Sequence, residues 1–224
     1  MRQFFSLEGP LMRALSDLTT LVALNLLTLL CSIPIITAGA ALTTLNDGVM
    51  RIIDGEGNII KKYFTRFKSE IRQATPVWLV FLLIAAFLYI DTLIFGKPSG
   101  GTGKAYGLVP VWALVFVVSC IFVWTWPLIA RIETGFFGTI KNATRMAIGA
   151  FPRTVAMVVI YALMLFVFLN EVRLLPVAFV LGLSLPTYLS GLIYKPKLDE
   201  IIGAMSVDPD TDIADTGDND EKGN

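Results

Sequence analysis

Five apolar stretches of about membrane-spanning length alternate along the chain with shorter mixed segments. A transmembrane helix needs about 20 predominantly apolar residues. Trp112, Trp124 and Trp126 stand toward the two ends of the third stretch, as interfacial aromatic residues do. The pattern predicts an all-α membrane protein with five transmembrane helices, at residues 18–41, 77–95, 108–130, 154–169 and 174–193.

The first stretch carries three features that distinguish it from the others. Asn25 places a polar amide at membrane depth, Pro34 removes a backbone donor, and residues 38–41 are small enough to let another backbone approach closely. We expect a helix that enters the membrane, bends near Pro34 and leaves as an amphipathic arm through residues 42–53.

The mixed segments show helical periodicity. Apolar residues recur at helical spacing in residues 42–53, 59–72 and 136–148, and a turn composition at residues 54–58 separates the first two. Pro76 stands at the start of the second apolar stretch, where its missing donor costs little. These segments are predicted to be amphipathic helices on the cytoplasmic membrane surface.

One face of the segment 59–72 is basic. Such a face is typical of contact with lipid headgroups, and it is also typical of a surface that docks a cytoplasmic or membrane partner. Both interpretations stay open at this point. The candidate docking residues are Lys61, Lys62, Arg66, Lys68 and Arg72.

Composition favours a membrane class and excludes several chemistries. The chain is 55% hydrophobic and 16% charged, against about 45–50% and 25% in soluble domains. It has no histidine, which excludes His-dependent zinc sites and His-based triads. Cys31 and Cys120 stand alone in apolar runs. No catalytic constellation lies at membrane depth, so we expect neither enzymatic activity nor a cofactor, a metal or a nucleic-acid partner.

Two short motifs imitate ligand-binding loops and fail. The glycine-rich run ending at Lys104 lacks the first glycine and the final Ser or Thr of a phosphate-binding loop, because Pro98 and Ala105 occupy those positions. The alternating aspartates after Val207 imitate a calcium loop, but Ile213 replaces its required glycine. Neither motif predicts a ligand.

Charge is distributed unevenly and predicts an orientation. Residues 208–224 hold seven carboxylates and one lysine, so residues 206–224 are predicted to be an acidic, disordered cytoplasmic tail that follows a membrane domain at 1–205. With five spans, five Lys and Arg residues lie on the side of the amino end and thirteen on the other. Since cytoplasmic segments carry the positive excess, the amino end should be outside and the carboxyl end inside a plasma membrane.

Asn25 and Asp91 are the candidate polar sites inside the membrane. Intramembrane polar groups often face a bundle interior or a cavity. Asn25 could instead form a hydrogen bond with a neighbouring helix, and Asp91, near the end of its span, could reach interfacial water. Both readings of each residue stay open.

The first stretch resembles a known family. The run from Asn25 to Leu27, the segment from Cys31 to Ala40 and the following Leu42-Thr43-Thr44-Leu45 are similar to the signature of the YesL family of small bacterial membrane proteins. The resemblance covers roughly residues 1–205. It implies an association with sugar uptake and utilisation systems, and it implies no catalytic or binding residues.

The leading hypothesis is therefore a non-enzymatic accessory subunit of a bacterial carbohydrate uptake system. Its partners would be the lipid bilayer and membrane transporter subunits, or further copies of itself. The alternative is a self-sufficient, oligomeric carrier or pore for a small solute. A membrane enzyme is the third possibility.

Overall fold

Helices form the regular secondary structure of the part of the chain that the structure describes. The computed structural model describes residues 10–95, 103–132 and 135–207. Two single 3-10 turns, Ile35–Thr37 and Val172–Leu174, lie between α-helices. The α-helices are α1 (Pro10–Cys31), α2 (Ala38–Ile53), α3 (Ile59–Phe95), α4 (Gly103–Arg131), α5 (Phe136–Gly149), α6 (Phe151–Asn170), α7 (Leu175–Leu181) and α8 (Ser184–Val207).

Four of these helices are long and apolar enough to cross a membrane. They are α1, α3, α4 and α6, and the pair α7 and α8, bent by 52°, makes a fifth candidate if it is counted as one span. The described chain is thus all-helical, as predicted, with four or five candidate spans. The glycine-rich loop at residues 96–102 and the acidic tail at 208–224 lie outside the described residues.

The first helix ends earlier than predicted. α1 stops at Cys31, and residues 38–41 begin α2 instead of completing the first span. The single Thr37 hydroxyl proton is shared between the carbonyl oxygens of Cys31, at 2.7 Å, and Pro34, at 2.8 Å, at this break. Because α1 and α2 lie side by side, Leu21 and Leu24 share one apolar cluster with Leu45 and Val49.

The helix α2 lies in the interior, and the expectation of an arm with one solvated face is not met. Nearly all of its residues are buried, and it contacts α1, α3, α4 and α8. Its approach to α3 is close, because a Cβ atom at Gly39 would lie 2.5 Å from the Trp78 Cβ and 3.0 Å from the Ala74 carbonyl oxygen. The small residues of the sequence thus serve helix packing, as predicted, but at the start of α2.

The helix α3 is continuous through Pro76, whereas the sequence pattern predicted a surface helix followed by a separate span. Proline inside a helix removes one backbone hydrogen bond and clashes with the preceding turn. Packing offsets that cost here, since α2 covers the first half of α3 and α4 covers the second. Trp126 is buried against α2 and α3, and Trp124 is buried against α5, α6 and α8. Trp112 is 64% exposed, so two of the three predicted interfacial tryptophans are core residues.

The predicted fifth span is broken. α7 ends at Leu181 and α8 begins at Ser184, so the bend precedes Pro186. Pro186 falls in the first turn of α8, where backbone N–H groups have no partner within the helix. α8 then continues to Val207, well past the predicted end of the span at residue 193.

Candidate functional site

Three of the five predicted docking residues share an exposed face of α3. Lys61, Lys68 and Arg72 are exposed, and the ring of Phe64, 54% exposed, lies between the first two. At about 100° per residue, the three cations fall within about 40° of one another and opposite the buried Tyr63. None of the three forms an ion pair with a carboxylate of the described residues. We call the three cations together with Phe64 the basic face.

The other two predicted docking residues point elsewhere. Lys62 Nζ lies 3.5 Å from the Glu56 carboxylate. Arg66 Nε lies 3.4 Å from Asp47 Oδ2, and Arg66 Nη2 donates to the Ala130 carbonyl oxygen at 3.1 Å. Arg66 therefore joins α3 to α2 and α4, and its position about 60° from the buried Tyr63 on the helix explains its direction.

A cluster of ion pairs lies beside the basic face. The Asp47 side chain, 5% exposed, accepts a 2.8 Å hydrogen bond from Arg51 Nε, and Arg51 Nη1 reaches Glu56 at 2.6 Å. The hydrogen bond to Asp47 raises the pKa of Arg51 above its ordinary value. This cluster was not predicted from the sequence, although the spacing of four residues between Asp47 and Arg51 is the spacing of a helical ion pair.

A second cluster joins the carboxyl ends of α2 and α4 to the middle of α8. Asp54, directly after α2, lies 3.3 Å from Arg131 at the end of α4 and 2.7 Å from Lys195 in α8. Lys195 also reaches Asp199 at 2.8 Å. These contacts place the middle of α8 beside the turn that precedes α3.

Asn25 holds the break between α7 and α8. Its side chain is fully buried, its Nδ2 donates to the Phe179 carbonyl oxygen at 2.7 Å, and its Oδ1 accepts from the backbone N–H groups of Leu183 at 2.8 Å and Ser184 at 3.0 Å. Helix ends leave backbone groups without partners, and at membrane depth those groups need protein partners. Of the two readings of Asn25, the structure shows the hydrogen bond to neighbouring helices.

Three buried hydroxyl groups lie along α8, beginning at Ser184, which is hydrogen-bonded to Asn25 through its backbone N–H. Ser184, Thr187 and Ser190 are buried. The Thr187 hydroxyl donates to the Leu183 carbonyl oxygen at 2.7 Å and lies 3.1 Å from the Tyr161 hydroxyl. The Ser184 Oγ atom is buried without a hydrogen-bond partner among the described residues. Ser184, Thr187 and Ser190 were not predicted as site residues, although their spacing of three places them on one side of α8.

Asp91 lies apart from Asn25. It is partly exposed, four residues before the end of α3, whereas α1 meets α3 near Tyr63, where the Thr28 and Tyr63 hydroxyls are 3.1 Å apart. In a straight helix, residues 63 and 91 are about 42 Å apart. The structure therefore does not bring the two predicted intramembrane residues into one site.

An apolar groove of about 520 Å³ lies between the apolar half of α3 and the facing part of α4. Aromatic and aliphatic side chains dominate its lining, and Asp91 does not line it. The lining includes Trp78, Phe81, Leu88, Trp112 and Phe122. Within the described residues, no group of three or more His, Cys, Asp or Glu side chains is placed to hold a metal ion.

One comparison with known proteins gives a match. Residues 21–92 match a family model described as a protein of unknown function, DUF624, and this region runs from α1 to the second half of α3. The YesL family is a DUF624 family, so the match supports the resemblance at this coarser level. No curated protein and no solved structure matches the chain.

Proposed function

We propose that this chain is a non-enzymatic, multi-pass membrane protein that binds a partner subunit through the basic face of α3. The supporting observation is the contrast within one helix. Lys61, Lys68 and Arg72 point outward without a carboxylate partner among the described residues, while Lys62 and Arg66 pair with carboxylates of the same chain. The cations that form ion pairs within the chain are thus separate from the cations that can bind a partner.

The chemistry of the basic face fits an acidic protein segment. Three cations along about three turns of helix attract negative charge and accelerate encounter with an acidic partner. Phe64 adds an exposed ring of the kind that anchors protein interfaces. The assignment of the partner to a bacterial carbohydrate uptake system rests on the YesL resemblance alone.

The proposed location is the plasma membrane, with the turn at residues 54–58 and the carboxyl end in the cytoplasm, where lysine and arginine concentrate. The packing of α1 on α2 changes the side of the membrane that we propose for the amino end. Ser16 and Asp17 line one pocket together with Glu56 and Lys61, so the start of α1 lies beside the turn. We therefore place the amino end on the cytoplasmic side, opposite to the expectation from five spans.

Partner capture tests the proposal. The full-length protein is purified from its native membrane in mild detergent, and co-purifying proteins are identified by mass spectrometry. The triple variant Lys61→Glu, Lys68→Glu and Arg72→Glu should lose at least about 90% of a specific partner, since rim charges mainly set association.

The matched control reverses exposed cations away from the basic face. Lys141 in α5 and Arg153 in α6 are exposed, and Lys141→Glu with Arg153→Glu should keep the partner. Capture of the same proteins by all three forms, or of no protein by the wild type in several detergents, would contradict the proposal.

The second candidate function is a carrier or pore, and the break between α7 and α8 favours it. Discontinuous helices at membrane depth line substrate sites in many secondary transporters. Here the backbone N–H groups at the break are already hydrogen-bonded to Asn25. The buried Ser184 hydroxyl, in contrast, has no hydrogen-bond partner among the described residues.

Reconstitution decides between the two candidates. Liposomes that contain only this protein should show no solute flux beyond that of protein-free liposomes if the docking proposal is right. Flux that disappears in the Ser184→Ala variant, with unchanged protein incorporation, would favour the carrier.

A further inference from the structure

We propose that the acidic segment 208–224 of the same chain occupies the basic face of α3 when no partner is bound. This inference concerns regulation of the docking surface, so its functional consequence rests on the proposed function. The contact itself does not require a partner, and it can be tested separately.

Charge complementarity is the first argument. Segment 208–224 has seven carboxylates and one lysine, and the remaining residues carry an excess of six positive charges. Among the described residues, most cations near α3 are already paired, Arg51 with Asp47, Arg66 with Asp47 and Lys195 with Asp54. Lys61, Lys68 and Arg72 are the exposed cations of α3 that remain for an acidic segment.

Position is the second argument. The 2.7 Å contact between Lys195 Nζ and Asp54 Oδ1 fixes α8 beside the turn before α3. From Lys195, α8 continues to Val207, a rise of about 18 Å, and the basic face extends about 16 Å along α3 from Lys61 to Arg72. An extended segment of seventeen residues reaches about 56 Å, which exceeds the combined length of these two helical stretches.

Tethering is the third argument. A covalently linked segment is present at an effective concentration in the millimolar range when the linker can span the distance. Individually weak ion pairs between exposed side chains can then hold the segment in place without high intrinsic affinity. An acidic partner would have to displace it, so the segment would act as a competitor for the docking surface.

Photo-crosslinking in the full-length protein tests the contact. A benzoyl-phenylalanine replaces Phe64, between Lys61 and Lys68, and crosslinks are mapped by mass spectrometry in detergent and in bilayer discs. The matched control is the same replacement at Leu83, which is 71% exposed on the same helix, about 28 Å further along α3. Intramolecular crosslinks to segment 208–224 are expected from position 64 and not from position 83.

Two changes should remove the crosslinks if charge carries the contact. Raising salt from about 0.1 M to about 1 M shortens the Debye length from about 10 Å to about 3 Å, and it should lower the yield at least fivefold. Replacing the seven carboxylates by amides should have the same effect at low salt. Lysines in place of those carboxylates, combined with Lys61→Glu, Lys68→Glu and Arg72→Glu, should restore the yield.

Four outcomes would overturn the inference, and the first three concern where the crosslinks form. They are a yield at position 64 no higher than at position 83, adducts of lipid instead of peptide, and crosslinks that join isotopically distinct copies of the chain. A yield that ignores salt and charge would also reject it.

The same samples separate this inference from the proposed function. If a partner exists, the amide form of the segment should capture at least about three times more of it than the wild type, as expected when a tethered competitor is removed. If crosslinks form but no partner is captured by any form, the intramolecular contact holds and the docking function fails. If a partner is captured equally by both forms without crosslinks, the docking function holds and the contact fails.

Discussion

Asn25 shows how one side chain can stabilise a helix break inside an apolar environment. An amide can donate and accept at once, and Asn25 uses both groups on backbone atoms on the two sides of the bend. A serine would be too short to reach both sides, and a leucine would offer no partner. The polarity of residue 25 is thus explained by the backbone of α7 and α8.

Replacing Asn25 by leucine should therefore destabilise the protein. Three hydrogen bonds are lost, and at about 0.6–1.7 kcal/mol for each bond within a membrane, the loss should be about 2–5 kcal/mol. Reversible unfolding in mixed micelles of mild detergent and SDS measures the change.

Asn170→Leu is the control for this prediction. Asn170 is exposed at the end of α6, and its amide donates to the Phe166 carbonyl oxygen of its own helix and to no other helix of the described chain. Its replacement should therefore cost less than about 0.5 kcal/mol. Equal stability of the two variants would show that the amide of Asn25 does not hold the break.

At the scale of single residues, the sequence predicts which side chains matter better than it predicts their partners. The polarity of Asn25 is visible in an apolar run, but Phe179 lies 154 residues away. Likewise, the basic face of α3 is visible, but Asp47, which turns Arg66 inward, belongs to another helix. Helical angles could have separated Arg66 from Lys68, because they depend only on local geometry.

At the scale of elements, α2 shows why a polar pattern can predict the wrong environment. The hydroxyls of Thr43 and Thr44 donate to carbonyl oxygens four residues earlier in the same helix, which satisfies them without water. Asn46 accepts a 3.1 Å hydrogen bond from Tyr194, 148 residues away. Polar residues therefore resemble a solvated face in the sequence although each has an internal partner.

Other element boundaries follow from tertiary packing. The pattern predicted the positions of α4 and α6 well, because long, predominantly apolar runs favour one helix, and α4 continues through Pro110 and Pro127. Pro76 and Pro186 were less informative, since α3 continues through the first and the bend lies before the second. Neighbouring helices decide whether a proline ends a helix, and a single sequence does not identify those neighbours.

The contact between α2 and α3 gives a prediction for an element pair. Gly39→Ala should destabilise the protein by about 1–3 kcal/mol, because the new methyl group would lie 2.5 Å from the Trp78 Cβ on α3. The free energy of unfolding in mixed micelles again provides the measurement.

Gly149→Ala is the matched control for this change. No neighbouring atom lies within 4 Å of a Cβ atom at Gly149, the last residue of α5, so this variant should be within about 0.5 kcal/mol of the wild type. If Gly39→Ala were equally harmless, the close packing of α2 on α3 would be wrong.

At the scale of the whole molecule, the packing of α1 against α2 has a consequence for topology. Two antiparallel helices joined by a short link have their free ends at the same end of the pair. The apolar cluster joins Leu21 and Leu24 to Val49 and Ile52, and a Cβ atom at Gly48 would lie 2.9 Å from a Leu24 methyl group. The amino end and the turn at residues 54–58 should therefore be on one side of the membrane.

The charge count agrees with this arrangement. If the amino end joins the cytoplasmic side, fifteen of the 18 Lys and Arg residues lie inside and three lie outside. The five-span arrangement leaves five outside. Since the positive excess of cytoplasmic segments sets orientation, the hairpin arrangement satisfies the rule better.

Labelling of single introduced cysteines in intact cells tests the topology. In a background with Cys31→Ala and Cys120→Ala, a membrane-impermeant maleimide should label Gly101→Cys directly, and it should label Gly9→Cys and Gly57→Cys only after permeabilisation. Gly57 suits the test because a side chain there meets no atom within 4 Å. Labelling of position 9 in intact cells, with position 57 protected, would mean that α1 crosses the bilayer alone. The antiparallel contact between Leu24 and α2 would then be incompatible with the membrane-bound protein, and α2 would have to leave the interior.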